Sequence, residues 1–313
     1  MAKQGMAKPD VLVVTGPTAS GKSALALALA QRRGGTVINA DAMQTYDAFP
    51  ILTAQPTARD RAAVPHRLYG LLPLSETLSA ARWRALAETE IERCREDGRL
   101  PVLCGGSGLY LRALRQGFAE VPPVPPQLRA QANDDWSRIG PVAFRARLEE
   151  HDPEIVARLK PGDRQRHVRA WEVWLGTGRP LSVWQKGKGS PSSWRFASIL
   201  LAPDRAWLRE RIERRFDAML EAGVLEEVRS VLDRRPDPAW PGLKAHGAPE
   251  FFRHLRGELP LEEARRIAID HTRQYAKRQM TWFRHQLGPD LVIEMPSNQA
   301  QEIAEKFLDK IEG

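Results

Sequence analysis

Residues 10–23, DVLVVTGPTASGKS, constrain the fold more than any other stretch of the chain. Residues 11–14 form a short apolar run of the kind that makes a buried strand. Gly16, Gly21, Lys22 and Ser23 then satisfy G-x-x-x-x-G-K-[ST], the phosphate-binding loop. Glycines let the backbone curl until successive N–H groups point inward at phosphate oxygens. A helix after the loop adds the positive end of its dipole. Lys22 supplies a point charge, and the Ser23 hydroxyl is a candidate Mg²⁺ ligand. Residues 24–33, ALALALAQRR, are strong helix formers, so strand, loop and helix follow in the required order. The candidate phosphate contacts are Gly16, Pro17, Thr18, Ala19, Ser20, Gly21, Lys22 and Ser23.

The loop does not say which phosphate it holds, because kinases, ATPases, GTPases and some pyrophosphate-releasing transferases share it. Composition narrows the choice. The chain has 313 residues, 42% hydrophobic and 27% charged, enough for a full core and more than one domain. Its formal net charge of +8 suits a polyanionic partner, nucleic acid above all. Cys94 and Cys104 are the only cysteines, too few for a disulfide framework or a zinc cluster, which points to reduced thiols and a cytoplasmic protein. The polar N-terminus, MAKQGMAKPD, is no secretory signal, and no apolar run reaches the roughly 18 residues that a membrane span needs.

Along the chain, residues 36–38 read as a second strand that ends at Asn39-Ala40-Asp41. A carboxylate at the carboxyl end of a strand beside a phosphate loop lies where open α/β sheets place their chemistry. Asp41 can there be a Mg²⁺ ligand, a general base or a turn-former. Ala42, Met43 and Gln44 follow, then an irregular stretch, then a short strand expected over 67–72. Residues 79–97 form an amphipathic helix, and 100–104 a strand leading into a second glycine-rich turn, GGSGLY, that contains Ser107. This alternation predicts a doubly wound parallel sheet. No aspartate closes the strand at 100–104 and no NKxD element exists, which argues against a motor ATPase and a GTPase switch.

The pattern changes at the stiff run VPPVPP, 121–126, after which residues 127–185 read as helices only. Within them Asp163 is placed to cap a helix from Arg164, carrying Gln165, Arg166, His167, Val168 and Arg169. Residues 186–193, KGKGSPSS, return the chain to an α/β core whose strand is 196–201 and whose next helix, 205–222, carries five arginines, Arg214 and Arg215 among them. The expected division is a core of 1–120 and 186–313 with a helical insertion at 121–185. Along 262–286, Arg266, Arg273, Lys277 and Arg284 recur at helical spacing opposite an apolar face, either as a solvated face or as a track for a phosphate backbone.

Several segments together resemble the bacterial-type tRNA dimethylallyltransferase family. They are GPTASGKS at 16–23, NADAMQTYD at 39–47, TAQPT at 53–57 and VPHRLYG at 64–70. PVLCGGSGLYLRAL at 101–114, DRQRHVRAWEV at 163–173, RRFDAMLEAGVLEEV at 214–228 and TRQYAKRQMTWFR at 272–284 complete the set. Ala42 departs from the usual serine, Ser107 from threonine, 48–57 from GMDIGTAKPT, and 245–250, AHGAPE, from A-I-G-Y-[KR]-E. The resemblance implies a P-loop NTPase-like α/β fold, a doubly wound parallel sheet with an all-helical insertion domain. It implies transfer of a dimethylallyl group from dimethylallyl diphosphate to N6 of adenosine 37 of tRNA, with Mg²⁺ and without nucleotide hydrolysis. Asp41 would then be the base. Lys22, Ser23, Ser107 and Arg215 would hold the diphosphate. Residues 41–44, 165–169, Arg273 and Lys277 would meet the anticodon stem-loop. A monomer is expected. A P-loop kinase, an isopentenyltransferase acting on free AMP, and an RNA-binding module with a vestigial loop are the competing readings.

Overall fold

The computed structural model describes residues 9–119, 121–187, 189–294 and 297–312. The first eight residues of the polar N-terminus and Lys188 of the basic return lie outside them. The apolar runs become one six-stranded sheet: β1 (Val11–Thr15), β2 (Gly35–Asn39), β3 (His66–Arg67), β4 (Leu100–Gly105), β5 (Phe196–Leu201) and β6 (Leu291–Ile293). All pairings are parallel, in the order β3-β2-β4-β1-β5-β6. Every residue of β1 is buried, as a strand covered on both faces requires. Val11 and Val13 join the core on one face, Leu12 and Val14 the core on the other. The period-two alternation of side chains thus feeds two separate apolar layers from one strand.

This order brings the carboxyl ends of β1, β4 and β2 side by side, so the phosphate loop, the glycine-rich turn and the turn after Asn39 share one edge of the sheet. Close approach there depends on glycine. A Cβ on Gly105 would fall 2.1 Å from the carbonyl carbon of Ala40, and one on Gly108 would fall 2.2 Å from the Trp282 ring. Two helices border this edge: the arginine helix, Arg205–Glu221, and the long C-terminal helix, Leu261–Gln286. Arg265 and Asp217 pair at 2.6 Å between them, and Arg273 pairs with Glu213.

One expectation needs correction, and one strand was not foreseen. The strand placed at 67–72 ends at Arg67, because Leu68 adopts φ 64 and turns the chain; Leu72 makes only an isolated bridge to Tyr46. β6, too short to stand out as an apolar run, adds a parallel edge beside β5.

The chain divides into two compact units, residues 1–114 with 193–313, and residues 115–192. The second is helical, with elements Pro126–Glu149, Pro153–Arg158, Arg164–Thr177 and Leu181–Gln185. Its own core contains Phe144, Leu148, Val156, Trp171 and Val173. Asp152 ties it together: one carboxylate oxygen accepts from the Ile155 amide at 3.0 Å and the other from the Ser182 amide at 2.9 Å. Among the described residues no helix is long and apolar enough to cross a membrane.

Candidate active site

The phosphate loop is built as its sequence demands. Gly21 sits at φ 90 and leads directly into the helix Lys22–Arg32. Ala19 also adopts a left-handed φ of 63, a strained setting for a residue with a Cβ. Neighbouring elements fix the loop. The Thr18 amide donates to Oε1 of Gln279 at 2.9 Å, and Gln279 Nε2 donates to the Gly106 carbonyl at 2.9 Å. A single buried amide therefore ties the phosphate loop to the glycine-rich turn after β4. Gln279 was not singled out from the sequence; it lies within the family-like segment 272–284 as a polar residue at helical spacing within an apolar face.

Two cations converge on the loop. Lys22 is only 8% exposed and donates to the Pro17 carbonyl at 3.4 Å; burial pulls its ammonium below the ordinary lysine range, with the Asp41 charge opposing. Arg215 donates from Nη1 to Oγ1 of Thr18 at 3.2 Å, and burial likewise lowers its guanidinium. Arg214, its neighbour, pairs with Glu210 at 3.5 Å on the exposed side of the helix. Both arginines line a cavity of about 770 Å³ that also contains Gly21, Lys22 and Ser23, but only Arg215 reaches the inner cavity around Asp41.

Asp41 is held as a turn-former and also left open. Its Oδ1 accepts from the Met43 amide at 3.0 Å, while Asn39 Oδ1 accepts from the Asp41 amide at 2.8 Å. Among the described residues Oδ2 makes no hydrogen bond, and the carboxylate lines the inner cavity, about 90 Å³, with Thr18, Lys22, Ser23 and Arg215. The preceding strand end is pinned by Trp83, whose indole N–H donates to the Asn39 carbonyl at 2.9 Å. Trp83 itself stacks on Tyr110, ring centroids 4.7 Å apart.

Met43, Leu52, Phe216 and Met219 give the same cavity an apolar wall. His246 and Tyr275 close another side, their rings 4.4 Å apart and tilted by 44°. Burial lowers the imidazole of His246 and raises the phenol of Tyr275. His246 lies in the divergent segment 245–250, in which no single residue is assigned a role from sequence.

The other candidates fall out as follows. Ser107 lines neither cavity; its hydroxyl accepts from the Ala42 amide at 2.9 Å, so it braces the Asp41 turn. Gln44 lines the inner cavity, but its amide is engaged by the carbonyls of Thr53 and Ala54 at 2.9 and 2.8 Å. Gln165 and Arg166 are exposed on the helical unit, and Arg169 pairs with the buried Glu172. His167 and Val168 are 0% and 6% exposed, buried within that unit. Arg273 is neutralised by Asp270 and Glu213, whereas Lys277 is exposed with no carboxylate within 4.0 Å among the described residues.

Among the described residues no group of three or more His, Cys, Asp or Glu is placed to hold a metal by itself. Ser23 and Asp41 offer a hydroxyl and a carboxylate on one cavity. That pair suits Mg²⁺, which keeps waters and takes phosphate oxygens as its remaining ligands.

Comparison with known proteins gives one consistent answer. The model of the IPP transferase family matches residues 44–286. A tRNA dimethylallyltransferase of Rhodospirillum centenum is 53% identical over 280 residues, covering 89% of this chain and 89% of the relative. The tRNA isopentenylpyrophosphate transferase of Bacillus halodurans superposes with a TM-score of 0.67 at 31% identity, covering 97% of each chain. A eukaryotic dimethylallyltransferase, solved acting on tRNA, superposes with a TM-score of 0.81 at 26% identity, covering 96% of this chain and 79% of that one.

Proposed function

The chain belongs to the IPP transferase family, and from that premise we propose that it moves the dimethylallyl group of dimethylallyl diphosphate to N6 of adenosine 37 in tRNA, releasing pyrophosphate. The observation that carries this reading is the shared cavity: the Asp41 carboxylate lines the same space as Thr18, Lys22 and Ser23 of the phosphate loop and Arg215.

The chemistry has two difficulties. An exocyclic adenine amine is a poor nucleophile, and the diphosphate must accept negative charge as it leaves. Loop N–H groups, Lys22 and Arg215 meet that charge with donors already in place, so little reorganisation is needed as the bond breaks. Lys22 is buried and Arg215 half-buried, desolvation destabilises their ammonium and guanidinium, and a bound diphosphate relieves both. Ser23, with Asp41 nearby, would hold Mg²⁺, which when bound adds further neutralisation of the diphosphate.

Asp41 takes the N6 proton on Oδ2 as the new C–N bond forms, while the Met43 amide holds Oδ1 and fixes the direction of the other lone pairs. Met43, Leu52, Phe216 and Met219 enclose the prenyl chain and keep water from the allylic carbon. The acceptor base leaves its stack to reach this depth, at a cost of a few kcal/mol that is smaller in a loop than in a duplex. Met43 and Gln44 stand beside it; Gln165, Arg166 and Arg169 of the helical unit, with Arg273 and Lys277, serve the RNA backbone. We place the enzyme in the cytoplasm, a setting supported by its two free, buried cysteines, and propose that it acts as a monomer.

Incubation with unmodified tRNA, dimethylallyl diphosphate and Mg²⁺, followed by nucleoside mass analysis, tests the reading. A prenylated adenosine from position 37 is expected. Prenylation of free AMP in preference to tRNA, or ADP formed from ATP with a small metabolite, would replace it with a competing activity.

A further inference from the structure

A further cavity, about 540 Å³, lies between the first half of the arginine helix and the last half of the long C-terminal helix. It shares no lining residue with the cavity around Asp41. Its floor is apolar: Leu208, Ile212 and Ala276 are buried, and Met280 is half-buried. Its rim carries Arg205, Arg209, Lys277 and Arg284, all exposed, beside the Asp270–Arg273 pair.

Among the described residues none of these four cations has a carboxylate within 4.0 Å. Acids are not scarce on the two helices. Arg214 pairs with Glu210, Arg265 with Asp217, Arg266 with Glu263 and Arg273 with Asp270. Arg205, Arg209, Lys277 and Arg284, by contrast, meet around the groove. A fully exposed basic face would need no floor, and an apolar seat alone would not be ringed by bare charge. The combination fits a planar apolar group attached to an anion.

We propose that this groove seats a second nucleotide of the tRNA, one other than the modified adenosine, with its base against Met280 and Leu208 and its flanking phosphates on Arg205, Arg209 and Lys277. RNA is the occupant because the chain carries +8 overall and its relatives act on tRNA. The proposal rests on tRNA being the acceptor. It adds a base contact where a bare phosphate track would give charge alone, and so gives the enzyme a hold on the anticodon arm that does not depend on the reacting adenine.

The test measures binding of unmodified tRNA across a salt series to the full chain, to an R205Q/R209Q double variant and to Met280→Gln, with binding of dimethylallyl diphosphate as a control for the fold. The double variant should bind more weakly and lose about one to 1.5 units of the slope of log K against log salt, as two lost single-strand phosphate contacts predict. Met280→Gln keeps the side-chain volume and every charge. It should lower affinity by about fivefold or more, the cost of a weakened base contact, and leave the slope unchanged. Should Met280→Gln fail to bind the donor, ultraviolet cross-linking of the unaltered complex, mapped by mass spectrometry, replaces it: a nucleotide other than adenosine 37 attached within 205–212 or 276–285 is the expected result. Unchanged affinity in both variants overturns the proposal. So does a loss confined to the arginine variant, which leaves only a phosphate track, and so do cross-links that map entirely elsewhere. Failure of the unaltered chain to bind tRNA at all overturns the proposed acceptor, and the groove with it.

Discussion

At the residue scale, the site divides neighbours that look alike in sequence. Arg214 and Arg215 are adjacent, and only the helix phase decides which reaches Thr18. Arg215→Ala should therefore slow transfer by about 10²–10³, the usual cost of one lost donor to developing charge. Arg214→Ala should leave single-turnover rates nearly unchanged, since an exposed pair contributes about 0–1 kcal/mol. His246 yields a pH prediction. Burial lowers its pKa below the ordinary value of 6.5, against the Asp41 charge that raises it. The unfolded chain thus takes the proton first, so the contribution to stability is present above about pH 6.5 and is lost as pH falls toward the folded pKa. Thermal melts from about pH 7.5 down to about pH 5.5 should show a larger fall in Tm for the unaltered protein than for His246→Asn. At this scale the phosphate loop and Asp41 were legible, because their chemistry depends on local spacing. Gln279, Tyr275 and His246 were not: each is brought to the cavity by tertiary packing, and none belongs to a motif with a local physical signature.

At the scale of elements, hydrophobic patterning located β1, β2, β4 and β5 and the helices that cover them, since buried parallel strands read as unbroken apolar runs. It overextended the strand at 67–72, where Leu68 in a left-handed conformation gives no warning in its residue type. It also missed β6, which needs β5 as a partner to be a strand at all. Helix starts followed their capping residues closely: Ser79 accepts from the Arg82 amide at 3.1 Å and Asp163 from the Arg166 amide at 3.3 Å. The tightest joint is the turn after β4. Gly105→Ala would push a methyl group into the Ala40 backbone, 2.1 Å away, where no side chain can swing aside. The variant should lose roughly 1–3 kcal/mol of stability, or more, in a denaturant titration, and should bind dimethylallyl diphosphate more weakly because the same backbone carries Asp41 and Ser107.

At the scale of the whole molecule, the sequence's excess of positive charge has a structural counterpart in how that charge is distributed. Arg265, Arg266 and Arg273 on the long helix are paired with acids, whereas Arg205, Arg209, Lys277 and Arg284 around the neighbouring groove are not, among the described residues. The helical character of the insertion was legible from its apolar spacing. Its inward side chains were less so: His167 and Val168 sit in a motif that resembles an RNA contact, yet they fill the unit's own core. The account as a whole makes pyrophosphate release and base alkylation one event that requires Asp41. The most direct measurement is the ratio of pyrophosphate released to prenylated adenosine formed, in one mixture of tRNA, dimethylallyl diphosphate and Mg²⁺, for the unaltered protein and for Asp41→Asn. Equal amounts are expected from the unaltered protein, and a loss of both by about 10² or more in the variant while it still binds tRNA. Pyrophosphate without prenylated adenosine, or full activity in Asp41→Asn, would contradict the account.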